Sequence, residues 1–464
     1  MSSVKAAFER LRAGAPKMAR TTAAERIAKL NKLWQAVLAN LDEIDAAGSE
    51  EISMSGLGQM LPMKEEIAFI AANLESWMKP SEAGPTQGLM GRKGYTHWEP
   101  KGVVLHLATW NAPILISLSP AVEMIAAGNT VMIKPSELAP KSAEVVKKIV
   151  EEAFAPDEVA VVLGGPEVAQ EALKMPFNHV CYVGGTRVGK LVMQAAAEHF
   201  APVTLELGGK NPVILDKSAD IADAAKKLAF ARTIMAGQVC LAPDYILVPP
   251  AQRDELVSEL SKQFTAMYDP NGGGVKTSAD LPRIINTHHT RRIIGLIEDA
   301  KKKGAKVAYG GEYNEAERYI GPTILTDVTN EMDIAFEETF GPVFSVMTYD
   351  TKEDAVAEVA KRPKPLGLYV FAQEREAVDY FLNNTRSGSV AVNNAVTQAN
   401  NPTLPFGGCN HSGIGRLGGQ AGFQEFSNGR AVVEDPLNPA QSPPAFYPPF
   451  PAEAKMFLRA MLSS

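Results

Sequence analysis

The sequence predicts an α/β chain with two doubly wound parallel-sheet domains and a small β bridging element. Strand-like and helix-like segments alternate from Gly102 to Ala197, and again from Leu205 to about Val392. Repeated units of this kind imply parallel sheets covered on both faces. At 464 residues the chain has room for two or three domains, and it can bury about three-quarters of its unfolded surface without disulfides or metal. Its 45% hydrophobic and 21% charged residues exclude a disordered, collagenous or coiled-coil chain. The expected division puts 1–80 and 101–207 in one domain and 208–418 in the second, with 81–100 and 419–464 as bridging segments and tail.

Taken in order, apolar residues from Ile27 to Ile44 recur at helical spacing through 21–46, behind a capping box of Thr22 and Glu25. A second helix is expected over 64–78, and the Gly- and Pro-rich stretch 80–100 reads as a loop and extended hairpin. The first alternation gives strand 103–105, helix 114–127, strand 130–133, helix 140–154, strand 159–163, helix 167–173, strand 179–183 and helix 189–197. The second gives helix 220–236, strand 245–248, helices 251–266 and 281–302, strand 344–349, helix 352–360, strand 368–371, helix 374–382 and strand 389–392. A late strand is expected at 429–433, and a proline-rich tail from Pro436 to Pro451 precedes a last short helix.

Net charge is −7 with scattered basic residues, which argues against a nucleic-acid partner. The longest apolar stretch, Val103 to Ile125, is broken by His106, Asn111, two prolines and Glu123, so no membrane span is expected. Cys181, Cys240 and Cys409 form no disulfide framework and point to a reducing, cytoplasmic compartment. The seven histidines show no zinc spacing, so no metal site is expected, and His288-His289 reads as a pair on a helix surface. No G-x-S-x-G elbow supports a serine hydrolase.

Chemistry concentrates in a few places. Cys240, in Gly237-Gln238-Val239-Cys240-Leu241-Ala242-Pro243, follows a helical run at a tight bend. It is either a buried structural cysteine or a thiol exposed to activating donors. Glu206 ends an apolar strand before Gly208-Gly209-Lys210. It either pairs with Lys210 or is a general base raised by apolar neighbours. Asn111, at a strand-to-helix junction, is a helix cap or an oxyanion donor. Lys134 and Glu137 end the next strand, where they either bind ribose hydroxyls or simply face solvent. Gly184-Gly185-Thr186-Arg187-Val188-Gly189 opens a helix at a phosphate-cradle position, although its spacing is not G-x-G-x-x-G.

Together these segments resemble the aldehyde dehydrogenase superfamily over nearly the whole chain. The resemblance rests on Thr109-Trp110-Asn111, Lys134-Pro135-Ser136-Glu137, Leu205-Glu206-Leu207-Gly208-Gly209-Lys210, Gly237-Gln238-Val239-Cys240, Glu338-Thr339-Phe340-Gly341-Pro342 and Leu404-Pro405-Phe406-Gly407-Gly408, in the family's order. Glu206 stands 34 residues before Cys240, as in that family. The short N-terminal region, Cys240-Leu241-Ala242-Pro243-Asp244-Tyr245, Ser412-Gly413-Ile414-Gly415, Phe426-Ser427 and Tyr447-Pro448-Pro449 resemble the class 3 branch of aromatic, fatty and coniferyl aldehyde dehydrogenases.

The resemblance implies a Rossmann-like NAD-binding domain, a catalytic domain and a homodimer. It implies that Cys240 attacks the aldehyde, that Asn111 and the Cys240 N–H hold the oxyanion, and that Glu206 activates water to release the acid. One such donor is worth about 3–4 kcal/mol of barrier. Trp110, Lys134, Glu137, Gly184, Gly185, Gly189, Glu338 and Phe340 are the implied cofactor residues, with Glu338 on the nicotinamide ribose and Lys134 and Glu137 on the adenosine ribose. Glu137 would repel a 2′-phosphate, so NAD is expected ahead of NADP. The implied substrate is a hydrophobic aldehyde, aromatic ones included, with aliphatic aldehydes or a catalytically retired binding protein as the alternatives. Ala112 stands where class 3 members usually carry an aromatic residue, Tyr182-Val183-Gly184-Gly185 replaces their Phe-Thr-Gly-Ser, and Cys409 replaces a common valine. Cys409 is expected to be a packing residue.

Overall fold

A computed structural model describes residues 3–86, 89, 92–442 and 446–463; Pro443 and Pro444 of the proline-rich tail lie outside them. The fold is α/β. In the first large sheet Val203–Leu207, His179–Gly184, Val103–Leu107, Thr130–Lys134 and Val159–Val161 lie side by side and parallel, with Gly413–Ile414 added antiparallel at the edge. Alternate residues serve opposite faces. Val104, Val131 and Ile133 pack under the helices Ala23–Ala39, Met60–Trp77, Pro113–Ala126 and Pro140–Ala153. Val103, Leu105 and Met132 pack under Ser3–Ala19, Pro166–Ala172 and Thr186–Ala197. Val103–Leu107 and Thr130–Lys134 are therefore buried at every residue, as helices on both faces of a parallel sheet require.

The second large sheet runs Lys306–Tyr309, Thr323–Thr326, Val343–Thr348, Tyr245–Val248, Pro212–Leu215, Gly367–Phe371, Ser389–Val392. It is parallel except for the edge pair Lys306–Tyr309 and Thr323–Thr326. A third, antiparallel sheet joins Ser81–Glu82, Lys93–Pro100 and Ser427–Glu434, so the expected hairpin and late strand pair with each other.

Several expectations need correction. The helix over 21–46 is two helices, Ala23–Ala39 and Leu41–Ile52. The Asn40 amide donates to Ala36 O at 2.8 Å and its backbone leaves helical geometry, which breaks the run. The capping box of Thr22 and Glu25 is present. The helix expected over 281–302 starts only at Thr287, capped by Asn286. Before it, Gln238 takes the Ile285 N–H into a bond across to the loop preceding Cys240, so those residues are not free to coil. The helix expected from 189 begins at Thr186. Sequence reading missed Pro212–Leu215 and the edge strand Lys306–Tyr309, whose exposed residues leave no apolar signature.

Candidate active site

The carboxyl ends of the strands in the first sheet face a cavity of about 220 Å³, where a doubly wound sheet places its ligands. Trp110 and Asn111 follow Val103–Leu107, Gly184 and Gly185 end and follow His179–Gly184, and Glu206 belongs to Val203–Leu207. Cys240, Glu338 and Phe340 close the cavity from the side of the second sheet.

The local backbone explains how these groups converge. Ala112, at φ 50°, is the N-cap of helix Pro113–Ala126 and makes no side-chain cap bond. Asn111 is therefore not the cap, and its buried amide is left to the cavity. The turn before Cys240 holds Met235 and Ala236 at φ 52° and 55°, and Gly237 at φ 74°. Side-chain-bearing residues adopt this region at a cost of about 1–3 kcal/mol each, and such strain collects at functional sites. Only glycine fits at 237, because a Cβ there would lie 2.4 Å from Gly341 O. Behind the thiol, Asn211 Nδ2 donates to Cys240 O at 2.7 Å, fixing the bend.

Electrostatics separate the roles. Lys210 does not pair with Glu206; it donates to Asp244 Oδ1 at 2.6 Å in a fully buried bridge. Burial, with no cation to offset it, pushes the Glu206 carboxyl up to about 7, although the hydrogen bond from Cys240 pulls the other way. Its Oε1 is buried without a partner among the described residues. The Cys240 thiol is pushed well above its usual range by burial and by the Glu206 and Glu338 carboxylates. The thiol thus faces two carboxylates where activating donors were expected. Burial, together with repulsion from Asp244, lifts Glu338 to about 8. Its carboxylate rests on bare backbone, since a Cβ on Gly208 would come within 2.3 Å of Oε2.

The family model of the aldehyde dehydrogenase family matches residues 1–432. The chain belongs to that family. It is 40% identical over 385 residues to a dimeric NADP-preferring aldehyde dehydrogenase of Canis lupus familiaris, covering 83% of each chain. It is 38% identical over 426 residues to a probable coniferyl aldehyde dehydrogenase of Caulobacter vibrioides, covering 89% of this chain and 87% of the relative. Among solved structures, the substrate-bound state of Staphylococcus aureus AldH superposes with a TM-score of 0.92 at 33% identity over the whole of both chains. The chain is an oxidoreductase of aldehydes, of a family that uses NAD(P).

Within this aldehyde dehydrogenase, the residues present fit a dinucleotide. Gly185 caps helix Thr186–Ala197 with backbone alone, and a Cβ there would meet nothing within 4 Å, which leaves an open cradle for a phosphate at a helix start. Lys134 is buried, not solvent-facing, and bridges to the exposed Glu137 at 2.5 Å. Lys134, Glu137 and Gly189 do not line the cavity. Gly189 instead packs against the sheet, where a Cβ would lie 2.7 Å from Leu207 Cδ2. Cys409 is half-buried, its N–H bonded to Ser412 Oγ.

Sequence reading missed His289 and Arg292, which line the cavity one helical turn apart. His289, expected on a helix surface, sits against Trp110 with ring centres 5.3 Å apart; burial and the neighbouring Arg292 lower it to about 4, so it is neutral. Arg292 donates to Glu338 O and Thr339 O at 3.1 and 2.6 Å. Their i, i+3 spacing on one helix is the available signal, since it sets both on one face, but spacing alone does not say that this face meets the cavity. Among the described residues no group of His, Cys, Asp and Glu could hold a metal ion.

Proposed function

We propose that the chain oxidises a hydrophobic aldehyde, aromatic ones included, to its carboxylic acid, using Cys240 as nucleophile, Glu206 as base and Asn111 as oxyanion donor. The observation that carries this reading is that Cys240, Glu206 and the uncommitted Asn111 amide line one cavity.

Glu206 takes the thiol proton as sulfur bonds to the carbonyl carbon, and Asn111 and the Cys240 N–H hold the oxygen that gains the electron pair. A nicotinamide bound beside Cys240 supplies the hydride acceptor. Loss of hydride from the carbon leaves an acyl group on sulfur. Glu206 gives the thiol proton up to solvent and then removes a proton from water as the water oxygen bonds to the acyl carbon. The carbon–sulfur bond breaks, the departing thiolate takes that proton back from Glu206, and the acid formed ionises to carboxylate. A carboxyl near 7 suits these proton transfers at neutral pH. Retention of this base favours hydrolysis over transfer of the acyl group to phosphate or a thiol.

In this reading Trp110, Gly184, Gly185, Glu338 and Phe340 hold the nicotinamide and pyrophosphate end, and Lys134 with Glu137 the adenosine ribose. NAD is preferred over NADP because the Glu137 carboxylate would face a 2′-phosphate; comparing kcat/KM for the two cofactors tests this, and a clear NADP preference overturns it. The apolar substrate follows from Trp110, Ala112 and Val239 packing with Ile52, Met235 and Ile285 beside the thiol. No described helix is long and apolar enough to cross a membrane, and we place the enzyme in the cytoplasm. It forms a homodimer through the exposed strand Ser427–Glu434, which has a neighbour on one side only; sedimentation of the full chain reads this directly.

The decisive experiment is Cys240→Ala assayed for NADH production with benzaldehydes, cinnamaldehydes and aliphatic aldehydes. Turnover is expected to vanish while dinucleotide binding persists. A variant that still produces NADH rejects the nucleophile, and a parent enzyme that favours short polar aldehydes rejects the substrate class.

A further inference from the structure

Asp244 is four residues beyond Cys240, on the approach to strand Tyr245–Val248, and is buried. Both its oxygens are engaged by the segment that carries Glu338. Thr339 Oγ1 donates to Oδ1 at 2.6 Å, and Thr339 N donates to Oδ2 at 2.8 Å. Lys210 donates to Oδ1 at 2.6 Å and to Thr339 Oγ1 at 3.1 Å, and Arg232 lies 3.5 Å from Oδ1. The Asp244 N–H donates to Asn211 O at 2.8 Å, while Asn211 also holds Cys240 O at 2.7 Å. The Asp244 carboxylate thus grips Thr339, while a different group, the Asp244 backbone N–H, serves the Asn211 that holds the Cys240 carbonyl.

Thr339 sits between the two cavity residues Glu338 and Phe340, and Phe340 is held at φ 48°. A residue in that conformation needs its flanks fixed from outside. The clamp supplies this on one side, and Arg292, bonded to the carbonyls of 338 and 339, supplies it on the other. Neither Thr339 nor Asp244 reaches the cavity, so neither touches a reactant.

We infer that Thr339, gripped by Asp244, is a positioning residue that sets how tightly the dinucleotide is held at Glu338 and Phe340, separately from the reactivity of Cys240. This rests on the cofactor-binding role given above to Glu338 and Phe340. A hydroxyl that donates to a buried carboxylate is worth more than a neutral hydrogen bond, and its loss leaves an acceptor short of a partner.

The test uses the full-length protein with Thr339→Val, which keeps the shape and removes the donor, Thr339→Ala as a smaller replacement, and Thr339→Ser to restore the hydroxyl. Equilibrium titration with NADH, read by quenching of tryptophan fluorescence, gives Kd; the rate of iodoacetamide alkylation of Cys240 gives thiol reactivity. Thr339→Val is expected to weaken NADH binding about tenfold and to raise KM for the dinucleotide more than it lowers kcat. Thr339→Ala should fall in the same direction, Thr339→Ser should return within about twofold of the parent, and alkylation should change less than about twofold throughout. Unchanged Kd in folded Thr339→Val or Thr339→Ala overturns the inference. So does a serine variant as weak as valine, or alkylation that moves in step with Kd. A parent protein that binds NADH nowhere near Trp110 instead rejects the cofactor reading itself, a result distinguishable because it appears before any substitution.

Discussion

Lys210 and Glu206 lie four residues apart on one segment, yet Lys210 turns its ammonium to Asp244 and leaves Glu206 without a cation. A carboxyl bridged to lysine would titrate below its usual range, whereas burial lifts this one to about 7. A carboxyl so raised changes protonation at neutral pH, as the base we propose must. The rate of acid release is therefore expected to climb with pH through an inflection near 7, as Glu206 ionises. Glu206→Gln should abolish that limb and lower turnover about 10²- to 10⁴-fold. The measurement is kcat from pH 5.5 to 8.5; a glutamine variant that retains the same ascending limb shows that another group titrates.

Lys210→Met tests the pairing itself. It removes the nearer of the two cations on the buried Asp244 carboxylate and leaves Arg232 at 3.5 Å; breaking a buried pair from one side costs up to about 3–5 kcal/mol. Stability in urea should drop by that order, while the inflection near 7 stays where it is. If Lys210 were the partner of Glu206, the inflection would instead move upward.

Which parts of this site were legible follows from the range of the signals involved. Cys240, Glu206 and Asn111 each sit in a short local pattern; the strand–helix alternation puts Glu206 and Asn111 at the carboxyl ends of one parallel sheet, and Cys240 meets them from the side of the second. Their partners were not legible, because Lys210–Asp244 and Asp244–Thr339 span 34 and 95 residues and are decided by packing. Glu206 could be read as ion-paired or as a base until tertiary contacts removed the lysine. The strand Pro212–Leu215 was hidden by its brevity and its leading proline, and Lys306–Tyr309 by its exposure. Gly189 carries a reason for glycine that local sequence does not show: Leu207, 18 residues on in the chain, excludes a side chain there.

Gly185 and Gly189 should therefore separate. Gly189→Ala drives a methyl to within 2.7 Å of Leu207 Cδ2 and is expected to lose about 1–3 kcal/mol of stability from overpacking. Gly185→Ala points into open space and should leave stability within about 1 kcal/mol. Its effect should appear in dinucleotide affinity, because the methyl enters the cradle where backbone N–H groups meet phosphate. Thermal unfolding and NADH titration of both variants decide the matter, and a Gly189→Ala protein of parental stability removes the packing role.

A second pair of carboxyls, remote from the thiol, makes stability depend on pH. Glu66 Oε1 accepts from Gly419 N at 2.8 Å and Glu123 Oε1 from Gly418 N at 2.9 Å, so both hold the start of helix Gly419–Glu425. Burial raises both carboxyls, Glu66 to about 7, and repulsion from Glu66 raises Glu123 further. A carboxyl whose folded pKa lies above its unfolded value of 4.5 binds more protons when native. Its stabilisation is complete below about 4.5 and is lost as pH rises through about 7. The native state should accordingly weaken between pH 5 and 8. Glu66→Gln keeps an acceptor for Gly419 but cannot ionise, and it should be more stable than the parent at pH 8 by about 2–3 kcal/mol, with the gap closing toward pH 5. Urea midpoints at the two pH values check the sign: a gap that widens on acidification means that Glu66 is ionised in the folded protein.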